Sequence, residues 1–120
     1  MDRTTVHMSA KKQISLQEVH DIVHQFLKTE GAEHKSKTIQ KINGVEIWTL
    51  VYEMFFFRSR NYASLTIVLT EYDDEQTACI VGSGAGGGVL NVSHGAGRKF
   101  TELCEKSLQE CGFDFTYFKV

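Results

Sequence analysis

The strongest constraint on this 120-residue chain is a series of four segments in which apolar and polar residues alternate. A period of two residues is typical of β-strands, and turn residues such as Asn43-Gly44 separate one segment from the next. Because all three connections are short, neighbouring strands must run antiparallel, and the sequence predicts a meander. The predicted strands are 36–42, 45–57, 62–72 and 76–82.

A first amphipathic helix is predicted before the meander. Ser15 and Glu18 have the spacing of a capping box, in which each side chain accepts a hydrogen bond from the other residue's backbone N–H. Apolar residues then recur at three- and four-residue spacing, and Gly31 suits the left-handed position that ends a helix. These signals predict a helix over residues 16–30.

A second amphipathic helix is predicted after the meander. Its apolar stripe runs from Phe100 to Cys111, and Gly112 follows at the position where a helix ends. Residues 113–120 are predicted to form a last strand, which returns parallel to strand 76–82 by a right-handed crossover.

The order of these elements, α-β-β-β-β-α-β, predicts the fold class. Amphipathic helices need a sheet face on which to bury their apolar stripes. We therefore expect an α+β two-layer sandwich, with about five mainly antiparallel strands and both helices on one face. Residues 1–13 are polar and are expected to form a disordered tail, which leaves 14–120 as a single α+β domain.

Charge and cysteine content narrow the classes of partner and compartment. Thirteen basic and fifteen acidic residues give a net charge of −2, which favours neither nucleic acid nor an anionic membrane as a partner. No apolar run approaches the length of a membrane span. The three cysteines include no Cys-x-x-Cys pair, and we expect reduced core thiols in a cytoplasmic protein without a cofactor.

A glycine-rich stretch between Gly82 and Gly97 is the most unusual motif. With the two apolar residues before it, its first part, Ile80-Val81-Gly82-Ser83-Gly84-Ala85-Gly86-Gly87, resembles the Gly-x-Gly-x-x-Gly fingerprint of dinucleotide-binding oxidoreductases over about eight residues. That fingerprint needs a strand that turns directly into a helix, and an acidic residue at the end of the next strand. Neither follows here, and only 38 residues remain after Gly82. A Rossmann site is therefore not predicted.

Two interpretations of this stretch stay open. It is either a connection that is mobile or runs close to another backbone, or a cradle for a phosphate or carboxylate. In a cradle, successive backbone N–H groups and nearby cations bind the anion. The residues of the predicted cradle are Gly84, Gly86, Gly87, Gly88, His94, Arg98 and Lys99.

The histidines predict neither a metal site nor a catalytic site. His20 and His24 are four residues apart on the first helix, but no third ligand accompanies them, and both are expected at the surface. His94 lacks the oriented partner that a catalytic histidine needs.

The strands predict more apolar surface than two helices can cover. On strand 62–72 the aliphatic set is expected to face the helices, whereas strand 45–57 is apolar on both sides. An uncovered apolar face usually binds a partner, and the commonest oligomer is a two-fold dimer. We therefore expect a homodimer, or a pocket for a small apolar ligand, at a second face that carries Trp48, Tyr52, Tyr62 and Tyr72.

Together these features predict a small protein-interaction or ligand-binding module that acts through self-association. The alternative is an enzyme, or a protein that responds to nucleotides or phosphate, using the Gly82–Gly97 stretch with His94, Arg98 and Lys99. The sequence assigns no catalytic residue to either function.

Overall fold

The structure, a computed structural model, describes residues 5–58, 60–84 and 92–116. These residues form six strands and two helices, and we number the elements in chain order. They are β1 (Thr5–Lys11), α1 (Leu16–Thr29), β2 (Glu33–Ile42), β3 (Val45–Phe56), β4 (Asn61–Tyr72), β5 (Glu75–Gly84), α2 (Val92–Glu110) and β6 (Asp114–Phe115).

The strands form one sheet in the order β2-β3-β4-β5-β1-β6, and every neighbouring pair is antiparallel. Both helices pack on the same face of this sheet, where they bury the aliphatic side chains of β4. The predicted α+β two-layer fold is therefore confirmed, with six strands in place of about five. The described helices include none that is long and apolar enough to cross a membrane.

The predicted meander is confirmed in β2, β3, β4 and β5, which pair consecutively. Asn43 and Gly44 both have positive φ angles, of 49° and 82°, as a type I′ turn requires. Asp73, in the turn between β4 and β5, also has a positive φ angle, of 54°. The turn residues and the hydrophobic alternation therefore predict the same strands and turns in this part of the chain, and the structure has them.

Part of the segment that was expected to be a disordered N-terminal tail is a strand of the sheet. Thr5–Lys11 form β1, which lies between β5 and β6 and pairs with both. Val6, Met8 and Ala10 are buried and alternate with more exposed residues. The expectation of a disordered tail was therefore wrong for residues 5–11, because an alternation of only seven residues is a weak signal in a polar context.

The last strand follows its predicted direction but has a different neighbour. Asp114–Phe115 pair with β1, so β6 runs in the same direction as β5 while β1 separates the two strands. Residues 117–120, at the end of the predicted strand, lie outside the described part of the chain.

Helix α1 begins as the sequence predicts. The Ser15 hydroxyl accepts a hydrogen bond from the Glu18 backbone N–H at 3.1 Å, and the Ser15 backbone N–H donates to the Glu18 carboxylate at 3.0 Å. The helix ends at Thr29, and Gly31 follows with a φ angle of 105°. The capping box thus sets the start of α1, and its apolar stripe is buried in the core.

Candidate functional site

The sheet face opposite the helices carries no other element among the described residues. We call it the open face. It consists of the alternate side chains of each strand that point away from the helices. Its central members are Thr38, Ile47, Thr49, Val51, Thr66, Val68, Thr70, Thr77, Cys79, Val81, Thr5, His7 and Ser9.

The register of the strands arranges these side chains in rows across the sheet. Val68 on β4 stands between Thr49 on β3 and Cys79 on β5. In the next row, Thr66 stands between Val51 and Val81. β-Branched side chains dominate both rows, and most of these residues are only half-buried. This composition gives a surface of stiff side chains, because β-branched residues have few rotamers.

Charged side chains lie at the margins of the open face. Lys11 and Glu75 form an ion pair of 2.9 Å at the end where β1 and β5 meet. Glu53 approaches Lys35 at 3.7 Å at the opposite end of β3. The centre of the face therefore contains hydroxyl, thiol and aliphatic groups within a charged border, with His7 on its β1 side.

An aromatic cluster occupies one end of the open face. Phe55 lies opposite Tyr62 in the register, and their ring centroids are 5.1 Å apart. Phe57 stacks edge-on against Phe55 at the same distance and is 86% exposed. Large aromatic side chains are costly to leave in water, so this cluster is a candidate contact point for a partner.

The structure corrects the assignment of two aromatic residues to this face. Trp48 and Tyr52 are buried on the helix side, where the register pairs them with Leu69 and Leu65. Tyr62 and Tyr72 do lie on the open face and are each more than half exposed. Both sides of β3 are apolar, so its sequence alone does not say which set faces the helices.

The described part of the predicted anion cradle is not a loop. Gly84 belongs to β5, and α2 begins at Val92, so Arg98 lies in the second turn of the helix rather than at its start. Arg98 pairs with Glu102 at 3.4 Å. Lys99 lines a shallow cavity of about 400 Å³ beside Phe115.

The other residues of the predicted cradle are Gly86, Gly87, Gly88 and His94. The three glycines lie outside the described residues, and His94 belongs to α2. The cradle therefore stays a prediction. The described glycines of this stretch instead show a close approach of two backbones, between Gly82 on β5 and Gly97 on α2.

A second candidate site is a cluster of three histidines where α1 crosses the edge of the sheet. His20 and His24 come from α1, and His34 comes from β2. The ring centroids of His20 and His24 are 5.3 Å apart, as are those of His24 and His34. His20 is 6% exposed, so the expectation of two surface histidines was wrong.

Two aromatic residues of β3 form the floor of this histidine cluster. The His24 Nδ1 atom is 2.7 Å from the hydroxyl of Tyr52, which is fully buried. The His20 ring lies 5.0 Å from the ring of Trp48. Among the described side chains, Trp48 Nε1 is a buried polar atom without a hydrogen-bond partner.

Burial and nearby charge shift the pKa values of His24 and Tyr52. Burial, with the nearby His20 and His34, lowers the pKa of His24 below its ordinary value. Burial also raises the pKa of Tyr52 to about 12. At neutral pH, His24 is therefore a neutral imidazole beside a protonated phenol, and it can take up a proton only under acidic conditions.

A carboxylate contacts the solvent side of the cluster. The Asp21 Oδ1 atom is 2.9 Å from His20 Nδ1 and accepts a hydrogen bond from Gln17 at 3.0 Å. The bond to His20, followed by the bond from Gln17, lowers the pKa of Asp21. No group of three or more histidine, cysteine or acidic residues in the described ranges could hold a metal ion.

One signal could have located this cluster from the sequence. The four-residue spacing of His20 and His24 places them on one side of α1, and the two-residue period of β3 puts Trp48 and Tyr52 on one face. The sequence does not show which face of β3 the helices cover. Once Trp48 and Tyr52 are assigned to the covered face, the side of α1 that carries His20 and His24 can be expected to contact them.

An antiparallel sheet with two helices on one face, and no further element on its second face within the described residues, defines this molecule as a two-layer α+β sandwich. The chain belongs to a family of unknown function, DUF6054, whose sequence profile matches residues 1–112. No curated protein matches the chain.

Proposed function

We propose that this protein is a cytoplasmic interaction module that forms a homodimer by packing the open faces of two copies together. The observation that carries the proposal is the composition of the open face, with its uncharged centre and charged margins. The cores of protein interfaces are depleted of charge in the same way, and their rims are polar. The free state of Cys79, Cys104 and Cys111 supports a reducing compartment.

The size of the open face fits a stable interface. Five adjacent strands at about 4.8 Å spacing, and about four rows of side chains at about 6.8 Å, cover roughly 650 Å² on each copy. Two copies would then bury roughly 1,300 Å², which lies within the range of about 1,200–2,000 Å² for specific interfaces. A second copy of the chain is thus large enough to cover the whole face.

The edge strand β2 is less suited than the open face to bind a second copy of the chain. All ten residues of β2 are exposed, which would make it a template for another strand. It carries Lys35, Lys37 and Lys41, and lysines on an edge strand discourage edge-to-edge pairing. A two-fold dimer through the open faces needs no free edge, because the two sheets stack at about 10 Å.

The aromatic cluster offers the anchors that such a dimer needs. Phe55, Phe57 and Tyr62 expose large rings at one end of the open face. Aromatic residues are enriched among the side chains that contribute most to binding. In a two-fold arrangement each cluster would contact the opposite copy, and an axis perpendicular to the strands would place the two clusters at opposite ends of the interface.

Light scattering after size exclusion tests this proposal. We expect the wild-type protein to have twice the 13.6 kDa mass of one chain at micromolar concentration. Thr66→Arg places a charge at the centre of the open face, and we expect it to give the monomer mass. Gln25→Arg adds the same charge on the exposed surface of α1 and is the matched control.

The control variant is expected to keep the dimer mass, and thermal unfolding would verify that both variants are folded. A wild-type protein with the mass of one chain across this concentration range would overturn the proposal. Equal loss of the dimer in both variants would overturn the assignment of the open face as the interface.

A further inference from the structure

The contact between α1 and the edge of the sheet depends on ionisable rings. Helix α1 reaches β3 but leaves every residue of β2 exposed, so the histidine cluster is the outer limit of this contact. The rings of His20, His24 and His34 lie over Trp48 and Tyr52 and separate them from solvent. Trp48, whose ring the Lys37 side chain also approaches, is only 3% exposed.

We propose that the histidine cluster is a proton-sensitive latch, which releases α1 from the β2–β3 edge at mildly acidic pH and exposes Trp48. The geometry carries this inference, because the ring centroid of His24 lies 5.3 Å from those of both His20 and His34. His20 is buried and His24 is half-buried, whereas His34 lies on the exposed edge strand. A proton added to one of these imidazoles creates a positive charge next to a second imidazole that can also be protonated. Repulsion between like charges at this distance is stronger where water is partly excluded.

The charges that face the cluster do not balance these protons. From α1, Lys28 adds a positive charge and Asp21 a negative one, and from β2, Lys37 adds a positive charge. The groups that face it from β3 and α2, Tyr52 and Cys104, are uncharged at neutral and acidic pH. Asp21 already bonds to His20, so it can offset one imidazolium, whereas a second one would add to the charge of the lysines.

The hydrogen bond between His24 and Tyr52 does not drive release. A phenol can donate to a neutral imidazole nitrogen and can accept from a protonated one, so the bond is available in both states. The driving force for release is therefore the repulsion among His20, His24, His34 and the lysines. Release concerns the histidine-bearing flank of α1. The sheet, with the apolar stripe of α1 still packed on it, is expected to stay folded when the latch opens.

Trp48 is the only tryptophan of the chain, so its fluorescence reports on this site alone. We would measure its emission maximum and its quenching by acrylamide between pH 8 and pH 5, with far-ultraviolet circular dichroism alongside. The expected result is a red shift and stronger quenching at acidic pH, with unchanged ellipticity. His24→Gln and His34→Gln are expected to reduce both changes.

The matched control is His7→Gln, which removes an imidazole on the opposite face of the sheet. It is expected to leave the acid response as it is in the wild-type protein. Trp48 that stays equally protected at pH 5 and pH 8 would overturn the proposal. So would a response that His7→Gln removes as fully as His24→Gln, or a red shift accompanied by loss of ellipticity, which would mean global unfolding.

Discussion

Gly82 of β5 and Gly97 of α2 are in backbone contact, with no room for a side chain between them. A Cβ atom on Gly82 would overlap the carbonyl oxygen of Gly97 and would lie 2.7 Å from Thr101 Cγ2. The first turns of α2 therefore rest directly on the sheet. This contact explains, independently of any ligand, why glycine is needed at position 82, and it leaves little room for a side chain at Gly97.

The contact predicts opposite effects for two glycine substitutions. Gly82→Ala is expected to lower the free energy of unfolding by about 1–3 kcal/mol, because the added methyl group must displace α2. Gly95 belongs to the same helix but faces open space, so Gly95→Ala is expected to raise stability by up to about 1 kcal/mol through helix propensity. Urea unfolding measures both, and a Gly82→Ala protein as stable as the wild type would refute the close approach.

The hydroxyl of Tyr52 is predicted to contribute to stability through His24. Tyr52→Phe keeps the buried ring but removes the partner of His24 Nδ1, and a loss of about 1 kcal/mol is expected from a buried hydrogen bond of this kind. Tyr72→Phe removes an exposed hydroxyl from the open face and is the control, with little change expected. Equal urea midpoints for the two variants would show that the bond to His24 contributes nothing measurable.

Tyr52 also predicts how stability changes in alkali. Its pKa is about 12 in the folded protein against an ordinary value of 10.0, so folding favours the protonated phenol. This contribution to stability is complete below pH 10 and is lost as the pH rises from 10 towards 12. The free energy of unfolding of Tyr52→Phe should therefore decline less steeply over that range than that of the wild type. Parallel declines would contradict the burial of an ionisable Tyr52.

Local signals were sufficient to predict the elements whose start and end are set by neighbouring residues. Ser15 and Glu18 satisfy the first backbone groups of α1, and Asn43-Gly44 sets the turn between β2 and β3. In both cases the physical cause lies within a few residues of the chain. Prediction from sequence therefore succeeded without knowledge of the tertiary structure.

The features that the sequence did not predict depend on contacts between distant residues. The start of α2 was missed because its glycines lower helix propensity, while the packing of Gly97 on Gly82 is a tertiary contact. Trp48 was placed on the wrong face because only its pairing with Leu69 distinguishes two apolar sides of β3. The histidine cluster was missed for the same reason, because it forms over Trp48 and Tyr52 and the face on which they lie was not known.

The open face contains its own probe for the proposed dimer. Cys79 lies in the middle of this face and is half-buried, whereas Cys104 in α2 and Cys111 directly after it are buried. Burial raises the pKa of both Cys104 and Cys111, which makes their thiols slow to react. A thiol reagent applied to the folded protein therefore reads the accessibility of Cys79.

The rate at which Cys79 reacts with such a reagent, measured over a range of protein concentrations, tests the proposed interface most directly. We predict that the rate falls as the concentration rises and the open faces become covered. Thr66→Arg should keep the rate of the dilute protein at every concentration. A rate that is independent of concentration, and equal in the wild type and in Thr66→Arg, would contradict the proposed dimer.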